Sequence, residues 1–402
     1  MNILFLTQVL PYPLDAGPKV RAYYVLRHLA QRHRVTLASF VRPSDTPAAL
    51  AHLREFCAAV VTCPMPRARW REALAVGRSV GRGEPVLIAR DWVPAMTAQL
   101  RALTAAQRFD VIHADQLWMA PYALAARSSG TRLVLDQHNA VYLIPQRLAR
   151  AARGALRRGV WQREAALMAR YEARACLAFD RVVTVTDPDQ QALLALYPDG
   201  PRPAFTPAIP ICIDAQAAPV GAPASTPGIL FLGGMHWPPN AEGVRWFARE
   251  ALPVIQAQQP AAVFYAIGRQ PPVELVGQPG LVAPGYVDDP ETYWAQSRVF
   301  VVPLLAGGGM RVKILDAWAR GVPVVSTTIG AEGLAYRAGE NLLIGDTPTA
   351  LADAVTRVLA DPALAARLAE AGRRTVLAHY DWRTVYSAWE TVYEPAAEPA
   401  PA

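Results

Sequence analysis

RVFVVPLLAGGGMRVKILDAWARGVPVVST, residues 298–327, decides the fold. RVFVVP and VPVVST are short, β-branched apolar runs, as strands of a buried parallel sheet require. The segment between them has helical spacing. Ile314, Leu315 and Trp318 share one face, and Lys313, Asp316 and Arg320 share another. Gly321 follows where a left-handed residue commonly ends a helix. The stretch is a βαβ unit whose helix opens on Gly307, Gly308 and Gly309, with Arg311 and Lys313 at its mouth. Such glycines let backbone N–H groups approach a ligand, and the positive helix end favours an anion. A plain tight turn would not need three of them.

The same alternation runs outward in both directions. Before it, NILFLT, RVTLASF, AVVTC, DVIHA, RLVLDQ and RVVTVT read as strands separated by helical patterns, among them Pro94–Ala106 and Gln162–Ala178. Residues 199–228 break this rhythm with dense proline, alanine and glycine, and residues 206–228 are expected to be a linker. GILFLGG, AVFYAIG, GLVAPGYV, RVFVVP, VPVVST and NLLIG form a second series, with a helix expected over residues 241–258. The fold class is α/β: two doubly wound, Rossmann-like domains, residues 1–205 and 229–378, facing each other across a cleft. A final helix over 379–395 is expected to pack back on the first domain, ahead of a disordered tail at 396–402.

The chain has 402 residues, 52% hydrophobic and 18% charged, with a net charge of +7. This is a globular composition with enough length for two cores, and its basicity fits an anionic partner. The four cysteines, Cys57, Cys63, Cys176 and Cys212, have neither CxxC nor zinc spacing, so reduced buried thiols in a cytoplasmic protein are expected. MNILFLTQVLPYP lacks a basic n-region and reads as a buried first strand, not a signal peptide. No apolar run reaches the roughly 18–20 residues that span a bilayer.

In an open α/β sheet the ligand lies beyond the carboxyl ends of the strands. The loop after NILFLT carries Gly17 beside Lys19 and Arg21 at a helix start. The loop after RLVLDQ carries His138, placed for polar contact with a ligand, whereas His113 lies inside its strand. GYVDDPETYW is placed to wrap a nucleobase, although Asp289-Pro290 equally starts a helix. Two motifs are decoys. Gly77-Arg78-Ser79-Val80-Gly81 has nucleophile-elbow spacing but lacks the preceding strand. Asp187-Pro188-Asp189 reads better as a helix start than as a metal-binding pair. Residues 145–174 hold arginines 147, 150, 153, 157, 158, 163, 170 and 174 among apolar residues, which suits an anionic membrane surface as well as a solvated helix. No recognition motif accompanies this charge, so nucleic acid is not expected.

These segments in this order resemble the GT4-type glycosyltransferases of GT-B fold, close in flavour to bacterial exopolysaccharide-associated sugar transferases. GGGMRVKILDAWARGVPVVSTTIGAEGL, FLGGMHWPPNAEGVRWF, GYVDDPETYW, HYDW, PYPLDAGPKVRAYYVLRHLA and LDQHN carry the resemblance, which spans nearly the whole chain. It implies retaining transfer from a nucleotide-diphosphate sugar, without a metal or further cofactor. A glycan or polyprenyl-linked acceptor is expected, in the cytoplasm or on the inner membrane face. Arg311 and Lys313 would bind the diphosphate together with Gly17, Gly307, Gly308 and Gly309. His138 would sit near the donor sugar and acceptor as the catalytic candidate. Asp316 falls on the second glutamate of the family's EX7E motif, which contacts the ribose. The first glutamate falls on Gly308 and is absent. The family's Arg and Lys after the first strand of the second domain are missing too, with Met235, His236 and Trp237 in that region. The pattern HNVE reads His138-Asn139-Ala140-Val141 here. Lys19, Arg21, His236, Asn240 and Arg269 are further candidate contacts. The departures leave room for a GT-B-like protein that binds a nucleotide sugar or glycan without transferring it. An epimerase of the same fold fits less well.

Overall fold

The computed structural model describes residues 1–394 except 67, 68, 153, 222, 223, 225 and 308. The expected tail at 396–402 lies outside these residues, as do Gly308 and Arg153. The chain packs as two compact units, Met1–Ile211 joined by the chain from Tyr386 on, and Cys212–Val385.

The first unit is a six-stranded parallel sheet in the order β3-β2-β1-β4-β5-β6. Its strands are β1 (Asn2–Thr7), β2 (Arg34–Val41), β3 (Ala59–Pro64), β4 (Val111–Asp115), β5 (Arg132–Gln137) and β6 (Arg181–Thr184). Their residues are apolar on both faces because helices cover both sides, and Ile3 to Leu6 are wholly buried. The helices are α1 (Gly17–Ala30), α2 (Pro47–Arg54), α3 (Arg69–Arg82), α4 (Val86–Asp91), α5 (Pro94–Ala106), α6 (Ala120–Ala126), α7 (Leu143–Ala151), α8 (Ala155–Ala178) and α9 (Asp187–Leu194). Thr186 caps α9, its hydroxyl accepting from Asp189 N at 3.2 Å, so the Asp-Pro-Asp run is a helix start.

The second unit repeats the plan in the order β12-β11-β10-β7-β8-β9. Its strands are β7 (Gly228–Leu232), β8 (Val263–Ile267), β9 (Leu281–Gly285), β10 (Ser297–Val302), β11 (Val324–Ser326) and β12 (Leu343–Ile344). Its helices are α10 (Pro238–Trp246), α11 (Leu252–Gln258), α12 (Glu291–Ala295), α13 (Val312–Ala319), α14 (Pro348–Ala360), α15 (Pro362–His379) and α16 (Trp382–Val385). The single helix expected over 241–258 is broken by a π-turn at Phe247–Ala251. Pro253 has no N–H to give the Arg249 carbonyl, so the regular ladder fails there.

The chain's last part departs from the expected bounds. Residues 206–211 stay with the first unit. Residues 379–385 stay with the second, because Ile213 and Asp381 form a parallel bridge and Asp381 Oδ2 accepts from Ala215 N at 3.1 Å. The helix expected over 379–395 is instead α16, a 3₁₀ turn at Tyr386–Ala388 and α17 (Trp389–Tyr393), and only from Tyr386 does the chain join the first unit.

Candidate functional site

In the second unit the strand order reverses between β7 and β10, so the loops after these two strands flank the switch point. Both loops are rich in glycine, and the second leads into Arg311 and Lys313 at the start of α13 (Val312–Ala319). Lys313, in the first turn of α13, donates to Asn240 Oδ1 at 3.2 Å and lies 4.1 Å from the Phe231 ring centroid. Asn240 in turn donates to the Gly234 carbonyl at 2.8 Å. Burial, with the nearby charge of Arg311, pushes the Lys313 ammonium down to about 7. Arg311 stands at the N-terminal boundary of α13, and its Nη1 donates to Gly309 O at 3.0 Å and its Nη2 to Ile329 O at 3.3 Å.

The glycines make room for these heads. A Cβ on Gly307 would lie 2.7 Å from an Arg311 nitrogen, and Gly307 has φ +144°, which side chains rarely adopt. A Cβ on Gly233 would lie 2.5 Å from Lys313 Nζ. Gly233 and Gly234 are thus part of the cradle, which sequence reasoning missed. The signal was the pair itself, placed directly after a strand. Cations held beside glycine backbone are the kind of group that can meet an anion.

The other candidates of this unit sit around that pair. His236 is exposed beside Gly234, whose missing side chain leaves space for the imidazole. Arg269, after β8, stacks on Tyr286 at 4.7 Å. Asp316 accepts from Arg320 Nε at 3.0 Å, and Arg320 also reaches Glu291 at 2.8 Å. Burial raises the Asp316 carboxyl, with Arg320 opposing.

In the first unit the order reverses between β1 and β4, and polar side chains gather at the ends of β4 and β5. His138 is buried, and its Nε2 lies 2.8 Å from Asp115 Oδ1. Among the described residues its Nδ1 is buried without a hydrogen-bond partner. The loop behind it is clamped by two carboxylates. Glu172 of α8 accepts from Val141 N and Tyr142 N, both at 2.9 Å, and from Gln137 Nε2 at 3.0 Å. Asp189 accepts from Ala140 N at 3.0 Å. Glu172 was not singled out from the sequence and Asp189 only as part of a helix start, because the clamp joins residues about 30 to 49 positions apart.

Arg21, expected among the ligand contacts, is a structural residue instead. It is wholly buried and forms a bidentate pair with Asp136, at 2.9 and 3.0 Å. Its Nη1 donates to Pro210 O at 2.6 Å, and Trp389 stacks on it at 4.9 Å. Its helix position turns it toward the sheet, where a carboxylate partner is required. Burial raises the Asp136 carboxyl, but the charges of Arg21 and His138 outweigh it and hold the group low. His113, Asp115 and Asp136 crowd closely enough to hold a cation. Arg21 already takes both oxygens of Asp136 and His138 takes one of Asp115, so the cluster does not fit a metal. His113 is buried, stacks on Phe5 at 4.2 Å, and burial pushes it down to about 3. At α1, Gly17 is the first helical residue and Lys19 pairs with Asp15 at 2.9 Å.

By helical spacing Arg163, Arg170 and Arg174 share one side of α8, and Arg157 and Arg158 lie away from it. Arg163 donates to the Ser79 hydroxyl and carbonyl at 3.1 and 2.9 Å, which also shows Ser79 buried in a helix and not on an elbow. Among the described residues no helix is long and apolar enough to cross a membrane.

Two family models match the chain, Glycosyltransferase Family 4 over residues 16–205 and Glycosyl transferases group 1 over residues 226–361. The chain belongs to the GT4-type glycosyltransferases. Phosphatidyl-myo-inositol mannosyltransferase of Mycobacterium leprae is 30% identical over 178 residues, 42% of this chain and 46% of that one. The chain thus spans less than half of that relative, as it does of several others. D-inositol 3-phosphate glycosyltransferase 1 of Catenulispora acidiphila is 25% identical, covering 80% of this chain and 81% of its own. Among solved structures, Anabaena HepE with UDP-glucose is 16% identical and superposes with a TM-score of 0.64 over 98% of this chain and 99% of that one. That likeness shows the GT-B fold, two Rossmann-like domains.

Proposed function

We propose that the protein transfers a sugar from a nucleotide-diphosphate sugar to a glycan or polyprenyl-linked acceptor in cell-surface or exopolysaccharide synthesis. Transfer is with retention and without a metal, in the cytoplasm or at the inner membrane face. The Arg311–Lys313 pair at the switch point of the second unit carries this reading. Among the described residues the neutral Asn240 amide is the one hydrogen-bond acceptor of Lys313, so its charge is costly until an anion arrives. A departing diphosphate gains charge as the bond to the anomeric carbon breaks, and preorganised cations stabilise that charge more than the ground state. As the acceptor oxygen bonds that carbon, the diphosphate leaves with the electron pair and its oxygen takes up the hydroxyl proton. His138, with Nε2 fixed by Asp115, offers Nδ1 to the donor sugar or acceptor. The UDP-glucose bound to HepE makes a UDP-hexose the first donor to try.

A binding-only protein is the second reading, favoured by Gly308 standing where the family has its first motif glutamate. A thermal-shift panel of UDP, GDP, ADP and their sugars, followed by a sugar-release assay, separates the two. A ligand at about 100 times its dissociation constant adds roughly 2.7 kcal/mol of stability. A shift with slow release supports transfer, and a shift without release in acceptor-containing membranes supports binding alone. If Arg311→Ala with Lys313→Ala leaves donor affinity unchanged, the diphosphate assignment is wrong. Loss of turnover in His138→Ala with donor affinity kept supports its catalytic role.

A further inference from the structure

The loop that opens on α13 brings no polar side chain of its own. Residues 304–310 read Leu-Leu-Ala-Gly-Gly-Gly-Met. A group hanging from a diphosphate in the cradle therefore meets no side-chain hydrogen bond from that loop. Polar side chains arrive instead from the turn that follows β11, residues 326–332, Ser-Thr-Thr-Ile-Gly-Ala-Glu.

That turn is pinned. Thr327 Oγ1 donates to Leu304 O and accepts from Gly330 N at 2.9 Å. Thr328 gives both its N–H and its hydroxyl to the Asp346 carboxylate, each at 2.7 Å. A Cβ on Gly330 would collide with Val302 O and Ser326 Oγ, so the 3₁₀ turn at Ile329–Ala331 presses on the ends of β10 and β11. Arg311 braces it to the glycine loop, with one nitrogen on Gly309 O and the other on Ile329 O. The hydroxyls of Ser326, Thr327 and Thr328 are all engaged within the protein. Glu332 comes next, and it is the polar side chain of the turn that stands beside the cradle. Its side chain is 46% exposed, and its Oε2 lies 3.9 Å from Arg311 Nη2.

A carboxylate in this place opposes a bare diphosphate, because like charges repel. It suits a polyol attached to one, since its two oxygens accept strong bonds from neighbouring hydroxyls. We infer that Glu332 is a specificity-determining residue for the donor, accepting from hydroxyls of the transferred sugar while Arg311 and Lys313 hold the diphosphate. The ligand class that answers to it is a nucleotide sugar whose sugar keeps two free adjacent hydroxyls. The pinned turn holds the carboxylate in place before the ligand arrives, which lowers the ordering cost of binding. The inference rests on the diphosphate reading of the cradle and deepens it.

Calorimetric affinities of the full chain for UDP and UDP-glucose, and for GDP and GDP-mannose, test it without an acceptor. In the pair that binds, the ratio of sugar-nucleotide to nucleoside-diphosphate affinity is expected to fall about tenfold or more in Glu332→Ala. Affinity for the nucleoside diphosphate should be kept or raised, and the unfolding midpoint unchanged because the side chain is exposed. Glu332→Gln keeps one accepting oxygen and is expected to lie between. Glu340→Ala removes another exposed glutamate and should behave as the wild type. A ratio that stays level in Glu332→Ala overturns the inference, and an equal loss for both ligands overturns it by making Glu332 a residue that only steadies Arg311. A wild type that binds a nucleoside diphosphate but neither sugar nucleotide overturns it too. A wild type that binds neither nucleoside diphosphate removes the cradle and this inference with it, a failure read without any Glu332 variant.

Discussion

Lys313 makes donor affinity depend on pH. Its ammonium lies under Phe231 and against the Asn240 amide, with no ion pair among the described residues, and burial brings it down to about 7. A diphosphate diester stays fully ionised over the range of interest, so the lysine's protonation sets the slope. With a value of about 7, roughly nine-tenths of the molecules are charged near pH 6 and about 3% near pH 8.5. If only the charged form grips the diphosphate, affinity falls roughly thirtyfold across that interval, about 2 kcal/mol. Lys313→Arg keeps its charge throughout and should give a flat profile, while Lys313→Ala should be weak and flat. Calorimetric titration of the donor identified by the shift panel, in matched buffers, reads this directly. A wild-type affinity that stays level, like that of Lys313→Arg, refutes the reasoning. The same group has a signed effect on stability. Its folded value lies below the 10.5 of the free side chain, so between about pH 7 and 10.5 the unfolded chain binds more protons. The lysine's contribution therefore rises with pH across that window, by at most about 1.4 kcal/mol per unit. Comparing denaturation of the wild type with Lys313→Met across this range checks it.

Three further outcomes are expected. Asp136→Asn strips the buried Arg21 of its anion and should cost about 3–5 kcal/mol in urea unfolding, and a loss below about 1 kcal/mol would show that Arg21 finds another partner. Gly233→Ala pushes a methyl against Lys313 Nζ and should weaken donor binding at least about tenfold with a near-normal melting temperature; unchanged binding would remove this loop from the site. Glu172→Gln sets an amide N–H₂ against the Val141 or Tyr142 N–H and loosens the loop behind His138. Turnover should fall by about one to two orders of magnitude with donor affinity kept, and a loss of donor affinity instead would place the clamp's role elsewhere.

How much of this was visible in the chain depends on how far each interaction reaches. Strands such as NILFLT and RLVLDQ are legible because a doubly covered sheet demands apolar residues at every position, and they stand where the sequence puts them. The mouth of α13 is legible because its glycines and cations lie within seven residues of one another. Arg21 is not, since its partner Asp136 is 115 residues away and nothing local distinguishes a buried arginine from a ligand-binding one. Gly233 looks like a turn until Lys313, 80 residues on, occupies the space that its side chain would need. Helix α3 is the sharpest case. Its apolar positions follow an ordinary core-facing rhythm, and only the packed unit shows that Ala75 and Ser79 face inward while Trp70, Leu74 and Val80 face out. Periodicity reports that a helix has two faces. Which face meets water is decided by the neighbours, here by Arg163 gripping Ser79 from α8 across 84 positions of sequence.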